Sequence, residues 1–138
     1  MGELKNVIAQ FAPTDQACGL GGAAAAAQTG AIIDQRKKMV TELDALANTS
    51  DASAKQLVTQ LRTAIDLSLQ SDYPYQSWMS ANASTDATNP CARVHDANWQ
   101  AAQSIAPRAG DAKKAFVAAY NPVAARLGLR ANWTYTDF

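Results

Sequence analysis

The chain has 138 residues, enough for one domain with a real core. Its twelve basic and twelve acidic residues cancel, so no net field favours nucleic acid, an anionic membrane or an acidic ligand. No stretch approaches the ~20 apolar residues of a membrane helix, and abundant alanine with sparse β-branched residues points to helices.

Residues 3–11 (ELKNVIAQF) place Leu4, Val7, Ile8 and Phe11 on one stripe of a short amphipathic helix. The acid at position 3 and the short apolar run do not fit a signal peptide. Met1-Gly2 reads as an appended start. A targeting or anchoring segment is expected upstream, so any membrane link runs through a segment outside this chain. Pro13-Thr14-Asp15 then resets the chain.

The run Ala17-Cys18-Gly19-Leu20-Gly21-Gly22, followed by five alanines, resembles a glycine-rich phosphate loop on its face. Its context argues against that. A dinucleotide fingerprint needs a strand before the glycines, and a P-loop needs its lysine. Turn formers precede this run, and no lysine occupies the required place. A lipid-anchored cysteine is also excluded, because no apolar segment precedes Cys18. The glycines are expected to let the chain turn sharply into an alanine-rich helix that packs closely on its neighbours.

The spacing predicts that helix over residues 22–48, with Ile32, Arg36, Met39, Val40, Leu43, Leu46 and Ala47 inward. Arg36-Lys37-Lys38 spreads over about 300° of the wheel and reads as a solvated surface, not a phosphate-tracking face. Ser50 or Asp51 caps a third helix over residues 52–81. Leu57, Val58, Leu61, Ile65, Ser68, Leu69, Asp72, Tyr75 or Gln76, and Met79 form its stripe, with Pro74 expected to kink or divide it.

Residues 82–91 read as a loop. A fourth helix is predicted from Val94–Asp96 to about Tyr120. Ala97, Ala101, Ile105, Ala112, Ala115, Phe116, Ala119 and Tyr120 face inward, and a bend falls at Pro107 and Gly110. Asn121-Pro122 reads as a cap with proline at the first helical position of a last short helix, 122–128, ending at Gly128. The tail 129–138 is expected to pack back on the bundle. The fold class is therefore all-α: a single up-and-down bundle over 1–138 with three long helices and short terminal ones.

Cys18 and Cys91 are the only cysteines, and both lie beside loops. In an up-and-down bundle the second and fourth helices start at the same end, so the two sulfurs can meet. An even pair at loop positions fits one disulfide and an oxidising compartment. It would close a loop of about 70 residues and stabilise by about 4 kcal/mol in the chain-entropy treatment. The competing reading is chemical. Cys91 and His95, four apart, share a face if helical and with Asp96 form a thiol dyad with an orienting acid. Cys18, Cys91, His95 and an aspartate would also suit zinc. Asp66 and Asp72 are candidates to face inward near Arg62 or Arg126, whereas Asp15, Asp51, Asp86 and Asp111 read as exposed caps.

Aromatics gather in the C-terminal two-thirds. Trp78, Phe116 and Tyr120 read as core. Trp133 and Tyr135, with Tyr73 and Tyr75, are the candidates for an exposed surface that stacks on cell-wall sugars.

The runs DYPYQSW at 72–78 and AKxAFVAAYNPVAxRxGLxxxW from Ala112 to Trp133 resemble an extracytoplasmic helical domain of high-GC Gram-positive bacteria. The resemblance spans nearly the whole length. Members often follow a transmembrane segment, and some are attached to serine/threonine kinase or zinc-ribbon regions. That family carries one cysteine before the second helix and another before the last long helix, matching Cys18 and Cys91. Pro74, Pro107 and Gly110 inside helices depart from it. The resemblance implies an extracytoplasmic location and a disulfide, and no activity.

The expected function is thus a non-catalytic binding or spacer module, secreted or surface-displayed. It would act as a monomer without cofactor or metal and would engage a protein or cell-wall partner. The alternatives are a sensor that takes a small ligand between helices, where Pro74 and Pro107 open the bundle, and a thiol or metal enzyme at Cys91 and His95.

Overall fold

The computed structural model describes residues 2–12, 19–49, 51–82 and 93–137. Cys18, Cys91, Asp15 and Asp86 lie outside the described residues. The described chain is helical: α1 (Gly2–Phe11), α2 (Gly22–Leu46), α3 (Ala52–Ala81) and α4 (Ala97–Arg126), followed by a 3-10 turn at Tyr135–Asp137. None of these helices is long and apolar enough to cross a membrane.

The caps follow from composition. Asp51 accepts the Ala54 N–H at 2.6 Å and starts α3. Asp96 accepts the Trp99 N–H at 3.0 Å and starts α4. Gly128, at φ +69°, ends α4, with the Leu129 N–H donating to Ala124 O at 2.9 Å and the Gly128 N–H to Ala125 O at 3.3 Å. This is a Schellman closure, and it needs the left-handed conformation that glycine adopts freely.

The long helices α3 and α4 run unbroken through their prolines. The separate helix expected at 122–128 is instead the last part of α4. Each proline leaves the carbonyl four residues earlier without its helical donor. Those carbonyls belong to Gln70, Gln103 and Ala118, all exposed residues, so water takes the donor's place.

α3 packs against both α2 and α4, and α1 packs on α2. At the end where α2 begins and α3 finishes, α1 closes the bundle. Leu4, Val7 and Phe11 of α1 join Ala25, Ala26 and Ile32 of α2, Tyr75, Trp78 and Met79 of α3, and Ala102 of α4 in one core cluster. Trp78 is its centre, with its ring edge-to-face on Phe11 at 5.0 Å. Its Nε1–H donates to Val94 O at 2.7 Å.

The glycine run answers to packing. A Cβ on Gly22 would stand 2.5 Å from the Met79 carbonyl oxygen and 3.2 Å from that of Asn82. Both are backbone atoms at the end of α3 and cannot rotate away. Gly22→Ala is therefore expected to lower stability by about 1–3 kcal/mol, the range for overpacking. Urea denaturation checks this, and an unchanged midpoint would contradict the close approach.

The inner face of α4 differs from the expected one. Ala102, Ala109, Gly110, Lys113, Phe116 and Ala124 are buried, while Ala97, Ala101 and Ala115 are exposed. The helix is rotated by about one residue because alanines occur all round it and give little apolar contrast.

Candidate functional site

Two polar features stand out at mid-height. The first is a charge cluster inside the bundle. Arg36 of α2, Asp72 of α3 and Lys113 of α4 are all buried. Arg36 Nη1 donates to Asp72 Oδ2. Asp72 Oδ1 is buried without a hydrogen-bond partner among the described residues. Burial pushes the Asp72 carboxyl above the usual carboxylate range, and the Arg36 guanidinium pulls it back only in part. Burial pushes the Lys113 ammonium down to about 8, helped by the Arg36 charge and opposed by Asp72. Each long helix thus supplies one charge at one level. An axial slip of any helix would strand a charge in the core, so the cluster fixes register.

Lys113 gives stability a pH dependence with a definite sign. Below pH 8 both folded and unfolded chains hold its proton, and the fold bears the full cost of a buried ammonium. Between pH 8 and its ordinary value of 10.5 the unfolded chain still binds the proton that the folded chain has released. Stability therefore rises with pH through that window, by about 2 kcal/mol from pH 7.5 to 9.5. Urea midpoints of the parent chain should rise more over this interval than those of Lys113→Met. Equal rises would contradict the buried ammonium. Burial raises the Tyr75 phenol above its ordinary 10, with the Asp72 charge adding to it, so that group stays silent below pH 9.5.

The second feature is a surface cleft of about 260 Å³ between α1 and α2. Glu3, Asn6, Val7 and Gln10 line it from α1, and Gln28, Ala31, Ile32 and Gln35 from α2. Val7 and Ile32 are buried and form an apolar floor, with Ala31 beside them, whereas the polar residues are exposed around the rim. None of these polar side chains makes a hydrogen bond or ion pair with the described residues. The spacing explains the arrangement. Positions 3, 6, 7 and 10 share one face of α1, and 28, 31, 32 and 35 share one face of α2. The cleft lies away from Pro74 and Pro107, where a ligand site was expected.

The other candidate residues fall as follows. Tyr75 is buried at 5% exposure, and its hydroxyl accepts from Gln103 Nε2 at 2.7 Å, which corrects its assignment to a surface. Tyr73 is 44% exposed beneath the Lys37 ammonium on the α2 side. Tyr135 is 41% exposed beside Lys114 of α4. Trp133 is half-buried under Arg130, and its backbone pairs with the Asn121 side chain. The tail does pack back on α4, and the aromatics do not form one surface. Arg36, placed inward by its helical spacing but in solvent by its basic run, is buried, while Lys37 and Lys38 are exposed. Asp66 pairs with Arg62, which also bonds Asp44 at 2.9 Å. Arg126 is exposed.

His95 lies before α4 in non-helical chain, and Cys91, its expected partner, is outside the described residues. Its ring stacks on Trp99 at 3.7 Å and 5°. Asp96 is occupied as the α4 cap. Lys113 and the α1–α2 cleft are the features sequence reasoning missed. Lys113 keeps helical spacing with Ala102, Ala109, Phe116 and Ala124, and that signal would have found it. In comparisons with known proteins, the chain matches no protein-family model, no curated protein and no solved structure.

Proposed function

We propose that the chain is a non-catalytic binding module that works outside the cytoplasmic membrane, on a secreted protein or one anchored through a segment outside this chain. The observation that carries the binding reading is the α1–α2 cleft, with its unengaged polar rim over an apolar floor. The extracytoplasmic setting rests on the cysteine pair and on the resemblance to surface-displayed helical domains. The partner is a protein or a component of the cell wall.

A Cys18–Cys91 disulfide belongs to this reading. Two contacts near the cysteines support it. The Gly19 N–H donates to Gln10 O at 3.0 Å. The Arg93 Nε–H donates to Phe11 O at 3.1 Å, with the guanidinium over the Phe11 ring at 4.2 Å. The residues beside both cysteines thus anchor on neighbouring positions of α1. In a glutathione redox buffer the denatured protein is expected to show no free thiol and a mass two hydrogens light. Two free thiols would remove both the bond and the compartment argument.

Sedimentation with insoluble cell-wall material tests the binding reading itself. The parent chain should pellet saturably, and the Gln28→Ala/Gln35→Ala double variant should stay largely in the supernatant. Failure of the parent chain to pellet with cell wall, together with no protein partner recovered by crosslinking through the cleft, would overturn it.

A further inference from the structure

We propose that the α1–α2 cleft is a subsite for an N-acetylated saccharide. The inference rests on the binding-module reading and names its ligand class. Four carboxamides stand in one short cleft, Asn6 and Gln10 on the α1 wall and Gln28 and Gln35 on the α2 wall, with the Glu3 carboxylate beside them. Each carboxamide offers two donors and an acceptor. Where carboxamides serve this fold they are bonded: Gln76 to Ala26 O, Gln103 to Tyr75, Asn82 to Val94 N and Trp78 O, and Asn121 to Trp133. The cleft carboxamides have no such duty among the described residues.

Among the described residues no Arg or Lys lines the cleft, so they offer no counter-charge for a phosphate or carboxylate ligand. It suits a neutral ligand rich in donors and acceptors. In a trans amide the N–H and C=O point in opposite directions. Carboxamides on two facing walls can take both groups of an acetamido substituent at once. The acetyl methyl then meets the floor of Val7, Ala31 and Ile32, and Glu3 accepts from a ring hydroxyl.

Size separates a saccharide from a peptide. The lining spans eight residues of each helix, 3–10 and 28–35, or about 12 Å at 1.5 Å per residue. An extended peptide places only about three or four residues in that length. One sugar residue concentrates an acetamido group and several hydroxyls there. The volume, about 260 Å³, falls just below the ~300–1,000 Å³ of pockets for drug-sized ligands. It therefore fits one residue of a chain.

Titration calorimetry of the intact chain with chitotetraose, the β-1,4-linked tetramer of N-acetylglucosamine, tests this. Saturable binding is expected. Gln28→Ala/Gln35→Ala should weaken it by about tenfold or more, as loss of two hydrogen bonds implies. Both changes are on exposed side chains, and circular dichroism verifies the fold. The fully deacetylated tetramer and tetra-alanine should give no saturable heat. Absent binding of chitotetraose, equal binding by the double variant, equal binding by the deacetylated tetramer, or preferential binding of tetra-alanine would each overturn the proposal. If the chain still pellets with cell wall while chitotetraose fails, the ligand class is wrong and the binding reading stands. If both fail, the binding reading falls with it.

Discussion

Asp72→Ala is expected to cost about 3–5 kcal/mol, a large share of the ~5–15 kcal/mol stability of an ordinary domain. The loss comes from what stays behind. Arg36 and Lys113 are buried on the two flanking helices, and the substitution leaves two positive charges in the core with no carboxylate between them. Replacing the whole cluster is different. Arg36→Met, Asp72→Leu and Lys113→Met together remove every buried charge among the described residues and roughly keep the volume. That triple variant should match or exceed the parent in stability. Thermal and urea denaturation of the two variants decide the point. A mild Asp72→Ala effect would mean that water reaches the cluster. A triple variant as unstable as the single one would mean that packing, not charge, is at stake there. The triple variant also tests the register role, because it alone would be free to populate slipped helix pairings, seen as a broadened amide spectrum.

Trp78→Ala is expected to cost about 3–5 kcal/mol, the range for removing a large aromatic from a core. Trp78 is 1% exposed and touches three structural units at once. It meets Phe11 of α1 at 5.0 Å and Tyr75 of its own helix at 6.3 Å. Its indole N–H holds Val94 O at 2.7 Å, just before α4 begins. Trp78→Phe keeps most of the apolar area and loses that bond, leaving a carbonyl to find another donor, so its cost should be about 1–3 kcal/mol. The two variants separate the contributions. Equal costs would place the energy in the hydrogen bond, and a silent Trp78→Ala would remove the aromatic centre from the description of the core. Because α1 reaches the bundle through this centre, Trp78→Ala should also free α1 to exchange its amide protons faster than α2 or α3.

The fold was legible where polarity alternated sharply. Leu4, Val7 and Phe11 stand out against Glu3, Lys5 and Asn6, and α1 is buried on that stripe. Asp51 and Gly128 are local signals with local causes: Asp51 starts α3 as read, and Gly128 stops the helix as read, although that helix is α4 itself. In α4 the contrast fails. With alanine on every face, the predicted inward face fell about one residue from the buried one and left Lys113 out. The Asn121-Pro122 pair misled for a related reason. At an exposed position water takes over the freed Ala118 carbonyl, and the packing on either side carries the helix through Pro122 despite the proline's cost.

The cleft was illegible for a stronger reason. Glu3, Asn6, Gln10, Gln28 and Gln35 are each ordinary exposed helix residues. Only the packing of α1 on α2 brings them to facing walls. The aromatics erred in the opposite direction. Tyr75 sits three residues before Trp78 on the inner stripe and is buried with it, whereas Tyr73, two residues earlier, turns outward. A two-residue difference on a helix is a 200° rotation, which the bare run of aromatics did not convey.

The central claim is that this chain is a binding module whose site is the α1–α2 cleft. Nuclear magnetic resonance of the intact chain, titrated with soluble fragments of digested cell wall, tests it most directly. The side-chain amides of Asn6, Gln10, Gln28 and Gln35 and the methyls of Val7, Ala31 and Ile32 should shift together and saturably. A spectrum that stays unchanged, or shifts confined to the tail around Trp133 and Tyr135, would contradict it.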